Sequence, residues 1–291
     1  MSSARVEKAP AKVNLTLRVI GRRADGYHEI ESLVVFAALG DTLRFVPDRA
    51  LALVVRGPTA AAAGVVADNL VLKAACNLAD RIDGLELGRF DLSKRLPVAA
   101  GLGGGSTDAA AALRILARTN QMSLDDHRLI EAARATGADV PVCLDPRPRM
   151  MRGIGDVLSE PLDLPRLAAI LVNPGVAIAT KHVFDLLELE PGSVQPGQVR
   201  SAPAVRERTA FLATLANDRN DLEMSAISIA PAIADVLAAL RASPGCRLAR
   251  MSGSGGTCFG LFDSPSAAAA AAGMLRSSYP GWWVRATMLA A

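Results

Sequence analysis

The amino-acid sequence predicts an α+β fold made of two domains. Its 291 residues are long for one domain and long enough to give each of two domains a hydrophobic core. Strand-like alternation and helix-like periodicity follow one another without a strict β-α repeat, which is typical of α+β proteins. Proline, arginine and glycine are frequent around residues 146–165. We therefore place the boundary there, with predicted domains over residues 1–155 and 156–291.

The N-terminal half begins with a predicted β-hairpin. Residues 12–19 alternate between polar and apolar side chains, so a strand there would carry Lys12 and Asn14 on its polar face. The turn signal Asp25-Gly26 and an apolar segment over residues 30–36 complete the hairpin. The other elements predicted before residue 90 are strands over 42–46 and 51–56 and a helix that begins near Asn69, which is expected to cap it, and ends just before Gly84.

A glycine-rich segment follows a predicted strand over residues 90–94. The stretch from Pro97 to Leu113, PVAAGLGGGSTDAAAAL, has four glycines within five positions and then becomes an alanine-rich helix former. Ser106, Thr107 and Asp108 are residue types that cap helix N-termini, so we expect the helix to begin there.

The remaining elements follow from capping signals and periodicity. A helix is predicted from Ser123, with Asp126 completing a capping box, to Gly137, and Pro141 is expected to exclude more helix after it. In the C-terminal half the periodicity predicts four strands and four helices. The strands cover residues 168–172, 247–251, 258–262 and 283–288, and the helices 182–189, 205–215, 230–242 and 266–275, with a loop over 191–203.

Composition and charge exclude several classes of function. The net charge of +3 is too small to indicate nucleic-acid binding. Four separated cysteines and three histidines show no metal-ligand spacing and indicate a reducing compartment. No uncharged apolar run reaches the roughly 18 residues of a membrane span, and the N-terminus has no secretory signal. We expect a cytoplasmic protein that binds a small molecule, with no nucleic acid, membrane or obligate protein partner.

The glycine-rich segment matches neither of two common phosphate-binding motifs. A Walker A motif needs a lysine after its last glycine, but Gly105 is followed by Ser106 and Thr107. The dinucleotide fingerprint needs a third glycine where Ser106 stands. A glycine turn without a ligand stays an alternative. Free backbone N–H groups, the positive end of the helix dipole and two hydroxyls favour an anion such as a nucleoside triphosphate with its magnesium ion.

Several other residues are candidates for chemistry, although each has a simpler interpretation. Alone, Lys12 is typical of a surface lysine and Asp139 of a turn aspartate. Placed together and buried, the ammonium would keep the carboxylate ionised and oriented toward a hydroxyl. His28 alone is typical of a hydrogen-bonded structural residue, and Phe184 of a core residue. The second glycine cluster, in MSGSGGTCFGLF, is either a tight hairpin or a ligand-binding loop.

Three segments together resemble the GHMP kinases, the superfamily of galactokinase, homoserine, mevalonate and phosphomevalonate kinases. PVAAGLGGGSTDAA is similar to the central ATP-binding motif of this family, APAKVNLTLRV to its N-terminal motif and RMSGSGGTCFGLF to its C-terminal glycine motif. The resemblance implies a ribosomal protein S5 domain 2-like N-terminal domain, a ferredoxin-like C-terminal domain, and the use of ATP and Mg²⁺. It assigns the binding of ATP to Pro97, Val98, Ala99, Ala100, Gly101, Leu102, Gly103, Gly104, Gly105, Ser106 and Thr107.

Longer stretches are similar to one branch of this family, whose acceptor is a cytidine diphosphate-linked polyol of the non-mevalonate route to isoprenoid precursors. These are PAKVNLTLRVIGRRADGYHEIES, GADVPVCL and VNPGVAIATKHVFDLL. The resemblance implies that Asp139 accepts the proton of the acceptor's C2 hydroxyl while Lys12 orients and polarises that hydroxyl. It assigns the cytosine ring to aromatic side chains and a histidine, which suits stacking and hydrogen bonding. The substrate-binding residues it implies are Asn14, Tyr27, His28, Asp139 and Phe184.

Two alternatives stay open. The first is a GHMP kinase of the mevalonate or homoserine type. The substrates of such a kinase have no base to stack, so Tyr27, His28 and Phe184 argue against it. A GHMP-fold regulator that only binds nucleotide has no need of Lys12 and Asp139.

A basic stretch, RPRMMRGIGDVL, departs from the usual sequence of the branch. It contains Arg147, Arg149 and Arg152. We hypothesise that these arginines help to hold the diphosphate of the acceptor.

Overall fold

The computed structural model describes residues 4–193 and 206–290, and these residues form eleven strands and nine α-helices. The strands are β1 (Arg5–Asn14), β2 (Arg18–Arg22), β3 (His28–Pro47), β4 (Ala52–Arg56), β5 (Gly88–Ser93), β6 (Arg149–Gly153), β7 (Val157–Leu158), β8 (Leu167–Asn173), β9 (Cys246–Met251), β10 (Cys258–Phe262) and β11 (Trp283–Leu289). The helices are α1 (Leu70–Ala79), α2 (Gly104–Thr119), α3 (His127–Thr136), α4 (Val140–Leu144), α5 (Thr180–Asp185), α6 (Arg208–Ala216), α7 (Glu223–Ile229), α8 (Ala232–Ala242) and α9 (Pro265–Ser278).

The chain divides into two compact units. The first unit comprises Met1–Ala11, Gly40–Val98 and Gly103–Pro146, and the second comprises Lys12–Leu39, Ala99–Leu102 and Arg147–Ala291. Neither unit is one continuous segment, because β1 and β3 each contribute residues to both. The division into domains at residues 155 and 156 stays a prediction.

The first unit combines a small sheet with four helices. Residues 42–47 of β3 pair antiparallel with β5, and β4 pairs with β5 in parallel. Phe45 and Phe90 are opposite each other in this ladder, with ring centroids 4.8 Å apart, and both are fully buried. α2 is buried from Thr107 to Ala117 and packs against α1 and α4. Its alanines let these helices approach closely, which explains the alanine-rich sequence after the glycines.

The second unit contains antiparallel strands and the remaining helices. β2 and β3 form the predicted hairpin, and β3 also pairs with β6. The strands β11, β8, β10 and β9 lie side by side in that order, and β8 is buried along its whole length. α8 and α9 pack on these strands. Mixed helices and largely antiparallel strands confirm the α+β prediction.

The helix after the glycines begins earlier than predicted. α2 starts at Gly104, and its N-cap is Gly103, whose φ of 60° is left-handed. Ser106, Thr107 and Asp108 therefore lie inside the helix, and the prediction that they cap it was wrong. Glycine takes the left-handed conformation without a Cβ penalty, so the chain turns into the helix before it reaches the polar residues.

Other helix boundaries were also wrong. α1 ends at Ala79 rather than just before Gly84, and α5 ends at Asp185 rather than at residue 189. α3 begins at His127 rather than at Ser123, because Asp126 is the N-cap and its Oδ1 accepts a hydrogen bond from Arg128 N at 2.9 Å. Pro141 does not exclude helix, since it lies in the first turn of α4. A proline there has no intrahelical N–H to lose.

The predicted strand over residues 12–19 is two strands with a break between them. At the break, Thr16 Oγ1 accepts a hydrogen bond from Leu33 N at 3.0 Å, and Ser32 Oγ donates one to Thr16 O at 2.6 Å. Side chains thus replace part of the backbone ladder. β6, β7 and α7 were not predicted, and the predicted loop over 191–203 lies outside the described residues from position 194 onward.

Candidate active site

The crest of the glycine-rich segment, Ala99–Leu102, belongs to the second unit. Gly101 has a φ of 71°, which is left-handed. A Cβ at this position would lie 2.3 Å from Ser252 O and 2.8 Å from Gly255 O. Both atoms are backbone atoms and cannot rotate away. Position 101 therefore requires glycine for two independent reasons, conformation and space.

Ser252 joins the end of β1 to this crest. Its Oγ accepts a hydrogen bond from Asn14 N at 3.1 Å and donates one to Gly101 O at 2.9 Å. In addition, Lys12 N donates to Leu102 O at 2.9 Å. These bonds fix the backbone path of both segments within the second unit.

The second glycine cluster is held by a buried asparagine. Asn220 Nδ2 donates hydrogen bonds to Met251 O at 2.9 Å and to Gly253 O at 2.8 Å. Further along the loop, a Cβ on Gly256 would lie 3.2 Å from Ala100 Cα. The loop therefore packs on the glycine crest, which favours a ligand-binding loop over an isolated hairpin. No local sequence signal marks Asn220, because it precedes the loop by about thirty residues.

The side chains of Lys12 and Asn14 are both buried. Lys12 is only 3% exposed, so it is not an ordinary surface lysine. Asn14 Nδ2 donates to Ser32 Oγ at 2.7 Å, and this hydrogen bond connects the end of β1 to β3. Its assignment to substrate binding stays a prediction.

His28 and Phe184 lie together in the second unit. Their ring centroids are 4.8 Å apart with an interplanar angle of 31°. Burial lowers the pKa of His28, the Arg22 charge adds to this, and Asp185 opposes it. The imidazole is therefore neutral at pH 7. Tyr27, the preceding residue, is 62% exposed.

One ring nitrogen of His28 has no hydrogen-bond partner among the residues that the structure describes. Among the described residues, Nε2 is one of the few buried side-chain nitrogens or oxygens that have no hydrogen-bond partner. A buried polar atom of this kind calls for a partner from elsewhere, such as a ligand. The geometry therefore makes the His28–Phe184 ring pair a candidate binding site for a planar group with a polar edge.

The start of α2 lies in the first unit with Pro97 and Val98. Its N-cap, Gly103, has no side chain to cap the first turn, so the backbone N–H groups there can face an anion. Thr107 Oγ1 donates to Gly104 O at 3.0 Å and is thus used inside the helix. Ser106 is half-buried, and its hydroxyl is the more suitable ligand of the two.

Asp139 precedes α4 in the first unit and is half-buried, and its carboxylate does not cap that helix. The other end of α4 is held by Arg114 of α2, whose NH1 donates to Cys143 O at 2.6 Å. The same guanidinium donates to Lys8 O at 2.7 Å and to Glu7 Oε1 at 2.9 Å. Arg114 thus anchors the element that carries Asp139. Pairing of Asp139 with Lys12 stays a prediction.

The basic stretch after residue 146 has structural contacts. Arg152 Nε donates to Glu31 Oε2 at 3.1 Å, and Arg149 NH1 donates to Ser159 O at 2.6 Å. Arg152 is therefore ion-paired with the buried carboxylate of Glu31. Its role in holding the diphosphate stays a prediction.

Neither a metal cage nor a membrane helix is found in the described parts of the chain. No group of three or more His, Cys, Asp or Glu side chains there could hold a metal ion. None of the helices over residues 4–193 and 206–290 combines the length and hydropathy of a membrane span. In nucleotide sites magnesium needs only one or two protein oxygens, because the phosphates supply other ligands.

Comparison with known proteins defines the class of this protein. The family model described as GHMP kinases N terminal domain matches residues 69–145, and the one described as GHMP kinases C terminal matches residues 204–281. The crystal structure of homoserine kinase from Cytophaga hutchinsonii has the same fold, with a TM-score of 0.66 at 20% identity over 99% of this chain and 95% of that one. The GHMP kinase fold predicted from the glycine motifs is confirmed.

Similar sequences narrow the class further. The 4-diphosphocytidyl-2-C-methyl-D-erythritol kinase of Xanthobacter autotrophicus is 57% identical, covering 97% of this chain and 98% of the relative. That of Rhodopseudomonas palustris (strain CGA009) is 56% identical, covering 97% and 96%. A crystal structure of 4-(cytidine 5'-diphospho)-2C-methyl-D-erythritol kinase has a TM-score of 0.78 at 35% identity over 99% of both chains. The chain belongs to the 4-diphosphocytidyl-2-C-methyl-D-erythritol kinase family of GHMP kinases.

Proposed function

We propose that this kinase transfers the γ-phosphoryl group of ATP to the C2 hydroxyl of 4-diphosphocytidyl-2-C-methyl-D-erythritol, giving the 2-phosphate and ADP. The reaction is a step of the non-mevalonate (methylerythritol phosphate) route to isoprenoid precursors. The observation that carries the proposal is 57% identity, over nearly the full length, to an enzyme of that name. The ring pair of His28 and Phe184 supports it, since an acceptor without a base does not need such a pair.

ATP is the phosphoryl donor, and residues 97–107 hold its phosphates. The left-handed glycines bring the backbone close to the ligand, and the first turn of α2 presents N–H groups to the phosphate oxygens. Mg²⁺ bound with the nucleotide would supply neutralisation of the phosphate charge. The Ser106 hydroxyl is the protein oxygen that we assign to it, because the Thr107 hydroxyl is already used within the helix.

Asp139 and Lys12 prepare the acceptor hydroxyl for attack. Asp139 accepts the proton of the tertiary C2 hydroxyl, and Lys12 orients that hydroxyl and keeps the carboxylate ionised. The burial of Lys12 supports this role. Asn14 follows Lys12 on β1 and helps to position the substrate. Transfer is direct and in line, so catalysis consists chiefly of positioning and charge stabilisation.

The cytosine ring of the acceptor stacks on Phe184 and Tyr27 and hydrogen-bonds to His28. Stacking accepts any base, whereas a hydrogen bond to the base edge selects one. Nε2 of His28 has no partner within residues 4–193 and 206–290, and this supports the assignment, because the base edge would satisfy it.

Replacing Phe184 with alanine is expected to raise the KM for the cytidylyl acceptor by about tenfold to hundredfold, because stacking on an aromatic side chain contributes about 1–3 kcal/mol per base. The KM for ATP should not change, since Phe184 is assigned to the acceptor alone. Steady-state kinetics with each substrate varied in turn give both constants. Tyr279→Ala, which removes a partly exposed aromatic ring elsewhere in the second unit, is the control. An unchanged acceptor KM in Phe184→Ala would contradict the assignment.

The acceptor itself is tested by an ATP-consumption assay run in parallel with the cytidylyl polyol, mevalonate and homoserine. We expect turnover with the cytidylyl polyol alone. Turnover with mevalonate or homoserine and none with the polyol would show that the chain is a different GHMP kinase. If the protein bound ATP but showed no turnover with any of the three acceptors, the result would favour a GHMP-fold regulator that only binds nucleotide.

A further inference from the structure

The first unit contains a buried cluster of charged side chains that the proposed mechanism does not use. Lys94 Nζ lies 2.6 Å from Asp41 Oδ2 and 2.6 Å from Asp108 Oδ2. Lys94 is 4% exposed, and the two aspartates are still more deeply buried. An ammonium in such a place is tolerated because a carboxylate compensates its charge and both aspartates accept its hydrogen bonds.

This cluster connects the two flanks of the glycine-rich segment. Asp41 Oδ1 accepts hydrogen bonds from Arg95 N at 2.5 Å and Leu96 N at 2.9 Å, the two residues directly before the segment. Asp108 belongs to α2, the helix directly after the glycines. Through its two carboxylate partners, Lys94 thus ties the chain that enters the segment to the helix that leaves it.

The Lys94 ammonium also lies against the first residue of α2. A Cβ on Gly104 would be 3.2 Å from Lys94 Nζ. The missing side chain at this position therefore leaves room for the ammonium beside the helix start. That start presents the backbone N–H groups to which we assign the ATP phosphates.

The charge balance of the cluster suits a site for an anion. Burial raises the pKa of Asp108 to about 8, although Lys94 opposes the shift. At neutral pH most of the protein therefore carries a proton on Asp108, and Lys94 and Asp41 balance each other. Asp108 Oδ1 is buried without a hydrogen-bond partner among the described residues, which also disfavours the ionised form. No uncompensated negative charge then faces an incoming polyphosphate.

We propose that Lys94 is a positioning residue for nucleotide binding, because through Asp41 and Asp108 it holds both flanks of the glycine-rich segment in the geometry that binds phosphate. The inference rests on the proposed role of that segment in binding ATP and adds a residue that acts through its neighbours. Neither partner is close in sequence, since Asp41 is 53 and Asp108 is 14 residues from Lys94.

The first test replaces Lys94 with methionine, which keeps the length of the side chain and removes its charge. We expect the KM for ATP and the Kd for ADP to rise by about tenfold to hundredfold, as expected for a binding segment displaced by a fraction of an ångström. The KM for the acceptor should stay within about twofold, which a general loss of structure would not allow. Lys73→Met, at an exposed lysine of α1, is the matched control and should behave as the parent.

Two variants of Asp108 separate the effect of its charge from the effect of its hydrogen bond to Lys94. They remain informative even if Lys94→Met does not fold. Asp108→Ala removes the tie to α2 and leaves the compensated pair of Lys94 and Asp41. It should weaken ADP binding by about tenfold, measured by isothermal titration calorimetry on protein shown to be folded by circular dichroism. Asp108→Asn resembles the protonated carboxyl and still accepts a hydrogen bond from Lys94. It should therefore bind ADP within about twofold of the parent.

The outcomes distinguish this inference from the proposed function. Folded Asp108→Ala that binds ADP as tightly as the parent would overturn the inference, and so would an equal loss in Asp108→Asn and Asp108→Ala. A parent protein that binds ADP but does not phosphorylate the cytidylyl polyol would contradict the proposed function alone. The ADP titration contains no acceptor, so its result stands in either case.

Discussion

Replacing Asp139 with asparagine is expected to lower kcat by about 10³-fold, because the amide keeps the shape of the side chain but cannot accept the proton of the acceptor hydroxyl. The carboxylate does not cap α4, and Arg114 holds the far end of that helix through Cys143 O. The substitution should therefore leave the fold and both KM values close to those of the parent, although loss of the counter-charge of the buried Lys12 is expected to lower the midpoint of thermal unfolding. Steady-state kinetics and a thermal melt of each protein provide these quantities.

The control for this prediction is Asp125→Asn, which changes an exposed aspartate in the turn before α3. It makes the same chemical change and should leave kcat unaltered. If Asp139→Asn kept kcat within about tenfold of the parent, a general base at this position would be ruled out. Undiminished biological function of that variant would favour the nucleotide-binding regulator instead.

Gly101→Ala is expected to reduce the free energy of unfolding by about 3 kcal/mol or more and to abolish measurable ATP turnover. The left-handed φ of 71° disfavours alanine, and the added Cβ would lie 2.3 Å from Ser252 O. Because the neighbouring atoms are backbone atoms, relief requires the whole crest to move. Chemical denaturation of the purified variant and an ATP-consumption assay measure the two effects.

Gly84→Ala separates the two causes. Gly84 has a φ of 72°, almost the same as Gly101, but a Cβ there meets nothing within 4 Å. Its substitution should lower stability by only about 1 kcal/mol, the effect of conformation alone. If Gly84→Ala and Gly101→Ala lost the same free energy of unfolding, the contact with Ser252 O would not contribute to the destabilisation.

The sequence predicts the structure of this protein best where an element is determined by residues adjacent in the chain. Asn69 was predicted to cap the helix after it, and its Oδ1 accepts a hydrogen bond from Val71 N at 3.0 Å. The alternation after Lys12 indicated a strand, but it could not show that the polar positions are buried as well, because burial depends on what packs against the strand. For Pro141, the rule against proline in helices was applied to a position where the rule does not hold.

The groups that fix the candidate site are the ones that local patterns could not reveal. Asn220 supports the second glycine loop, Arg114 joins three separate segments, and Lys94 meets partners on a distant strand and on α2. Each is a polar side chain that would ordinarily be predicted on the surface. Their roles come from contacts between residues far apart in sequence, so they follow only from the fold.

The bridging hydroxyl of Ser252 has a consequence for how this enzyme can be altered. The hydroxyl is hydrogen-bonded to both Asn14 N and Gly101 O, and Gly256 packs on Ala100. The two glycine loops are therefore expected to move together as one rigid unit. If one of these loops were replaced by the corresponding loop of another kinase, its backbone would not fit the native loop that packs against it. Specificity swaps between such enzymes should move residues 99–102 and 252–257 as a matched set. Although the two segments are about 150 residues apart in the chain, we expect their substitutions to be coupled rather than additive.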